Sequence, residues 1–302
     1  MVKVEKKFTF SGHRDCVYAL EKEKEGHKFF SGSGDGMVVA WNLNQPDQGD
    51  LLAKVPHSIY ALKYIPEEDL LIVGQNFEGL HFIRVGEKKE IASLKCTQAS
   101  IFDLQVLGDQ IIMAESDGHI TLVDRKQLIV KNRIKLSEKS ARTIALSPDG
   151  EQFAVGYSDH KIRIFNSVDQ SLVKTIASHT NSIFTLQYSP SGTHLLSAGR
   201  DAHLKVWEVE KDYQLQEDII AHMYAINHIC FDPSGKYFAT ASMDKSIKIW
   251  RYEDFRLLKV VDKSRHAGHA TSVNKLAWLP EKNFLISGSD DRNISIWNIT
   301  FE

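Results

Sequence analysis

A motif that recurs at a fixed interval constrains this chain more than any other feature of its sequence. Five segments end alike: SGSGDGMVVAW to Trp41, AVGYSDHKIRIF to Phe165, SAGRDAHLKVW to Trp207, TASMDKSIKIW to Trp250 and SGSDDRNISIW to Trp297. Each places an Asp in a short turn, followed by alternating apolar residues that lead to an aromatic six places after the Asp. Two weaker copies lie between them, GQNFEGLHFIR around Glu78 and AESDGHITLV around Asp117. The repeat anchors are therefore Asp35, Glu78, Asp117, Asp159, Asp201, Asp244 and Asp291, at steps of 43, 39, 42, 42, 43 and 47 residues.

Apolar residues at alternate positions form strands with one buried face, and no helical period competes with them here. The turn sequences SPDG at Ser147, SPSG at Ser189 and DPSG at Asp232 punctuate the strands. Their Pro presets the first turn position and their Gly takes the left-handed one. An interval of roughly 40–45 residues is that of a four-stranded propeller blade. The expected fold is all-β: a closed, seven-bladed β-propeller of four-stranded antiparallel blades. Length alone would suit about two domains, but the repeat makes residues 1–302 one propeller domain.

A second motif sits upstream. Gly12-His13, Ser178-His179, Ala221-His222 and Gly268-His269 each place a His 22 residues before the repeat Asp. A β-branched residue follows each His by four: Val17, Ile183, Ile226 and Val273. With period, His, Asp and Trp in phase over essentially its whole length, the chain resembles the WD-repeat β-propeller family. That resemblance implies a buried hydrogen-bonded chain of His, Ser/Thr, Asp and Trp in each complete blade. The matching sets are His13, Ser31, Asp35, Trp41; His179, Ser197, Asp201, Trp207; His222, Thr240, Asp244, Trp250; and His269, Ser287, Asp291, Trp297. Buried polar groups must be paired, so such a chain stabilises only when complete.

His, Ser and Asp also invite a catalytic reading. Four in-phase copies argue for a packing device, since a nucleophile needs one exposed copy. The glycine-rich SGSGDG at Ser31 lacks the Lys-Ser/Thr and the helix of a phosphate loop.

The pattern lapses in three consecutive blades. Around Glu78 the Trp position reads Arg84, a residue looks inserted near Phe77, and His57 is out of register. Around Asp117 the hydroxyl and Trp positions read Met113 and Val123. Around Asp159 they read Val155 and Phe165, with Ser137 in place of His. These blades are expected to rely on apolar packing; the change is either drift or a side reshaped for a partner.

The chain ends at Glu302, one strand short of a full last blade, while Lys6 to Phe10 precede Gly12-His13 as Leu172 to Ile176 precede Ser178-His179. The N-terminal strand is thus expected to complete the last blade and so protect its edge.

The resemblance also implies that partners bind on the face carrying the Gly-His and Asp turns. One residue per blade follows the β-branched position and is expected around the channel there: Tyr18, Tyr60, Phe102, Arg142, Phe184, Asn227 and Asn274. A second ring precedes the anchors: Gly34, Phe77, Ser116, Ser158, Arg200, Met243 and Asp290. Aromatic residues and Arg give large contact area at small entropy cost, and Arg142 with Arg200 would grip a carboxylate or phosphate. Against this stands the plainer reading that the aromatics face inward and only pack. Two charged loops, Asp262 to Ala267 and the acidic run Glu208 to Asp218, are solvated surface in the first instance.

The expected function is a non-catalytic scaffold or adaptor that binds a partner peptide or domain, with no cofactor and no structural metal. The propeller itself is expected to be monomeric within a larger assembly. The alternative is a metal-binding or hydrolytic propeller using the channel mouth, where Asn227, Asn274 and Asp103 offer oxygen ligands. A net charge of −2 argues against nucleic acid as partner. Cys16, Cys96 and Cys230 are odd in number, far apart and without metal-ligand spacing, which fits a reduced, cytoplasmic setting. The opening MVKVEKKFTF does not read as a signal peptide and no run is long and apolar enough for a membrane span. Asn293 and Asn298 match the glycosylation pattern by chance in such a setting.

Overall fold

A computed structural model of the chain describes residues 2–23, 27–46, 48–279 and 283–301. Its strands form seven four-stranded antiparallel sheets. Six are consecutive in sequence and span 17–54, 59–95, 101–135, 141–177, 183–220 and 226–261. The seventh joins the three strands of 273–301 to Val2–Phe10, which pairs with Ile294–Phe301 from Val2↔Phe301 to Phe10↔Ile294. The fold is the all-β, seven-bladed propeller class. The N-terminal strand completes the last blade as the sequence suggests; Glu302 itself lies outside the described residues.

The chain divides into two compact units. One comprises 1–98 and 230–302, the other 99–229, and the division falls within the strand Ile226–Phe231. In the first unit, Phe10, Phe29 and Trp41 share a core cluster with Ile286, Ile294 and Ile296. Phe10 meets Phe29 and Trp41 edge-on, each at 5.4 Å between ring centroids. The strand Val2–Phe10 has a bulge between Lys6 and Phe8, so Val2 and Val4 pack with the cluster of Trp297 and Ile299, whereas Phe8 joins that of Phe10, Ile294 and Ile296. In the second unit, Phe153 stacks on Phe165 at 5.0 Å, and Trp207 packs with Tyr188, Leu195 and Tyr213.

Within the second unit, side chains on the first strands also bind the backbone of the next sheet. Asp103 Oδ2 accepts from the Ile144 N–H at 2.8 Å, Thr143 Oγ1 from Leu186 at 3.4 Å and Thr185 Oγ1 from Ile229 at 3.1 Å. These bonds fix each sheet's first strand relative to its neighbour's.

The turns agree with their chemistry. Gly150, Gly192 and Gly235 carry φ of 74°, 77° and 70°, the left-handed position assigned to them. One register differs from expectation. In the sheet 17–54, Gly32 pairs with Val38 and the turn centres on Asp35; in the sheet 59–95, Gly74 pairs with Leu80 and the turn centres on Phe77. Phe77, not Glu78, therefore occupies the Asp position, no residue is inserted there, and Asn76 is the residue before it. The hydroxyl and Trp positions of that sheet are then Val73 and Ile83, both fully buried.

Candidate partner-binding surface

The repeat residues build what surrounds the surface. His13 Nδ1 lies 3.2 Å from Asp35 Oδ2, His13 Nε2 lies 2.7 Å from Ser31 Oγ, and Trp41 Nε1 donates to that hydroxyl at 2.7 Å. Asp35 also accepts the backbone N–H groups of Arg14 and Met37, which ties the loop to the turn. The same chain recurs through His179, Asp201, Ser197 and Trp207, and through His269, Asp291, Ser287 and Trp297. In the fourth set Trp250 Nε1 donates to Thr240 Oγ1 at 3.0 Å, and Ser246 Oγ to Asp244 Oδ1 at 2.6 Å; His222 is buried. A nucleophile has to meet solvent and substrate; Ser31, Ser197, Thr240 and Ser287 are fully buried.

In the three irregular sheets the hydroxyl and Trp positions are apolar and buried: Met113 and Val123, Val155 and Phe165 as expected, and Val73 and Ile83 where the sequence pointed to Arg84 for the Trp position. Polar networks that the sequence did not suggest stand beside them. His81 bridges Gln75 Oε1 at 2.5 Å and Glu90 Oε1 at 3.1 Å. Arg133 reaches the buried Glu115 at 2.9 Å and Thr121 at 3.1 Å. Arg163 donates to Asp159 at 2.7 Å and to the Leu136 carbonyl at 3.2 Å, with its guanidinium 4.4 Å from the Tyr157 ring centroid.

In the first unit, Tyr18 and Tyr60, each the second residue of its sheet's first strand, meet at 4.7 Å between ring centroids. Asn274 sits beside them as a brace: its Nδ2 donates to Asp290 Oδ1 at 2.7 Å and to the Val17 carbonyl at 3.1 Å, and its Oδ1 accepts from Ser272. Cys16 approaches the Asp290 carbonyl at 3.8 Å. Burial pushes the Cys16 thiol up to about 11, and burial together with Cys16, Tyr60 and Asp290 raises the Tyr18 phenol. Phe77 and Met243 are exposed on their turns, and the exposed His57 ring meets Phe77 edge-on at 5.3 Å.

In the second unit, Arg142 lies between two rings, its Cζ 3.9 Å from the Phe102 centroid and 5.0 Å from that of Phe184. Arg200 is exposed; Asn227 is half-buried. Ser116 has a structural task, its Oγ accepting from Ser100 N–H at 2.9 Å and its carbonyl from Ser140 Oγ at 2.8 Å. Tyr18, Tyr60, Phe102 and Phe184 are all half-buried rather than wholly inward. Pattern reading missed Met223 and Tyr224, 83% and 62% exposed in the loop before Ile226, because that loop has no period to flag them.

The donors proposed for a channel-mouth metal are otherwise engaged. Asp103 binds backbone N–H groups with both oxygens, and Asn274 braces Asp290. Glu115, Asp117 and His119 do converge, but the Arg133 guanidinium already stands 2.9 Å from Glu115 and 3.8 Å from Asp117. Each charged loop has a carboxylate engaged: Asp262 accepts from Arg265 and Ser264 within its loop, and Asp218 pairs with His203 and Lys205 of the adjoining strand. Lys6 Nζ holds the first of these loops through the Ala267 carbonyl at 3.0 Å. The three cysteines are free, and no helix among the described residues is long and apolar enough to cross a membrane.

The family profile described as WD domain, G-beta repeat matches residues 4–42 and 262–298, the segments that carry the His13 and His269 chains. The chain belongs to the WD-repeat β-propeller family. A second profile, described as eukaryotic translation initiation factor eIF2A, matches residues 119–266. Relatives of this WD-repeat protein include a striatin homolog of Dictyostelium discoideum, 26% identical over 71% of this chain and 23% of its own. Transducin beta-like protein 3 of Bos taurus is 29% identical over 67% of this chain and 27% of its own. Actin-interacting protein 1 of Caenorhabditis elegans is 25% identical over 96% of this chain and 48% of its own. The WD-repeat chain thus spans less than half the length of each of these relatives. WD-repeat propellers are typically protein-interaction scaffolds and generally non-catalytic.

Proposed function

We propose that this protein is a non-catalytic scaffold that docks a partner protein or peptide on the sheet ends carrying the Gly-His and Asp turns. The observation that carries this reading is the set of half-buried aromatics there. Tyr18 with Tyr60 in one unit, and Phe102 with Arg142 and Phe184 in the other, present ring area already ordered by their neighbours. Side chains fixed before binding lose little entropy on association, and Tyr and Arg are the residues that interface energetics favour. The repeat Ser, His, Asp and Trp are occupied in holding the fold, which supports a role without catalysis. Three free cysteines support a cytoplasmic location.

The experiment is affinity capture from source-cell lysate, followed by reconstitution with the identified partner. Wild type is compared with the Arg142→Glu, Tyr60→Ala double variant, which is first checked for cooperative unfolding. The reading expects a partner that binds wild type and is lost by the folded double variant. Equal binding by both would contradict this location.

A further inference from the structure

Asp290 borders the Tyr18–Tyr60 pair and Asp15 lies beside the neighbouring Cys16, and neither has a counter-ion among the described residues. Asp290 is half-buried; its Oδ1 accepts from Asn274, and it forms no ion pair among the described residues. Asp15 is exposed, accepts from the Cys16 N–H, and is likewise without an ion pair among the described residues. Arg14 and Arg292, the nearest cations in sequence, pair with neither among those residues. This contrasts with the repeat carboxylates Asp35 and Asp291, each engaged by a His and by backbone N–H groups.

A half-buried carboxylate beside two phenol rings attracts one class of group. Ring faces and carboxylate oxygens are both electron-rich, so a cation gains from each, and the gain rises where water is partly excluded. An acidic or phosphorylated group would meet uncompensated repulsion. A metal ion would find a poor set, since one oxygen of Asp290 is engaged by Asn274 and the Cys16 thiol stays protonated near neutral pH. We propose that the Tyr18–Tyr60–Asp290 cluster seats a basic side chain, Lys or Arg, presented by the protein partner. This rests on the docking reading above and adds the chemistry of what docks.

The test uses the full chain and two fluorescein-labelled pentapeptides, acetyl-Gly-Arg-Gly-Arg-Gly-amide and its Glu counterpart, followed by anisotropy at physiological salt. Asp290→Asn keeps an acceptor for Asn274 and removes the charge; Glu210→Gln, on an exposed acid elsewhere, controls for diffuse attraction. The Arg peptide should bind wild type, weaken by about tenfold in Asp290→Asn and by a similar factor in Tyr18→Ala, and be unchanged in Glu210→Gln. The proposal is overturned if neither peptide binds, if the Glu peptide binds more tightly, or if Asp290→Asn and Glu210→Gln behave alike. A reconstituted partner that binds Asp290→Asn as tightly as wild type would overturn this inference alone. Failure of the docking reading would instead appear as binding indifferent to the Arg142→Glu, Tyr60→Ala change.

Discussion

Trp297 Nε1 donates to Ser287 Oγ across 2.8 Å, and that hydroxyl lies 2.8 Å from His269 Nε2. The direction of the whole chain follows. Asp291 is a carboxylate and needs the His269 proton at Nδ1, which leaves Nε2 to accept from Ser287, whose oxygen accepts from the indole. The Ser287 hydroxyl stands between two buried groups, and its removal strands both.

Ser287→Ala is therefore expected to cost more than one ordinary hydrogen bond. It leaves the Trp297 N–H and His269 Nε2 buried without partners, a loss of about 1–3 kcal/mol. Urea unfolding measures it. The reverse change, Val155→Ser, is expected to destabilise as well, by about 1–2 kcal/mol, because Phe165 offers the hydroxyl no donor.

Stability should fall with acid in two stages. Burial holds the His13 imidazole below its usual value, against the pull of Asp35. The unfolded chain then takes up a proton that the folded chain refuses, so stability declines as pH drops through about 6.5. At Asp291 burial acts upward, but the His269 hydrogen bond and charge overcome it and bring the carboxyl down to about 2. That stabilisation is complete above the ordinary carboxylate value of about 3.9 and is lost as pH falls toward about 2. Thermal melts from pH 8 to pH 2 should show both declines. Asp291→Asn should melt lower throughout, with a shallower slope below about pH 4.

Phe77 has φ of 68° and is 53% exposed, a conformation that bulky side chains avoid. Phe77→Asn, which tolerates that backbone, should stabilise the fold by about 0.5–1 kcal/mol. A lower melting temperature would mean that packing on His57 outweighs the strain.

Removing residues 1–10 takes the edge strand from the seventh sheet and Phe10 from contact with Phe29 and Trp41. Loss of a single cooperative melt is expected; a truncated chain that melts like the full one would contradict this role for the strand.

What could be read from the sequence was what recurs. The spacing from His13 to Asp35 to Trp41 returns intact at His179, His222 and His269, because one packing solution is used four times. Pairing of Val2–Phe10 with the last strand was legible because its relation to His13 matches that of residues 172–176 to His179. The anchor at Phe77 was not, since an acidic residue one place later suited the pattern better and only strand pairing separates the two. Gln75 with His81, and Glu115 with Arg133, each occur once and join different strands, so no period announces them. Asn274 and Asp290 were both picked out as facing the surface; their bond to each other was invisible, because loop geometry decides it.

The central claim, that partners dock on the ends of the sheets bearing the Gly-His and Asp turns, is tested most directly by hydrogen–deuterium exchange of the protein with its captured partner. Protection is predicted in the loops that lead into Val17–Lys22, Ile59–Ile65, Ile101–Leu107, Ala141–Leu146 and Ile183–Tyr188. Protection confined to the opposite turns at 148–151, 190–193 and 233–236, with these loops unchanged, would contradict it.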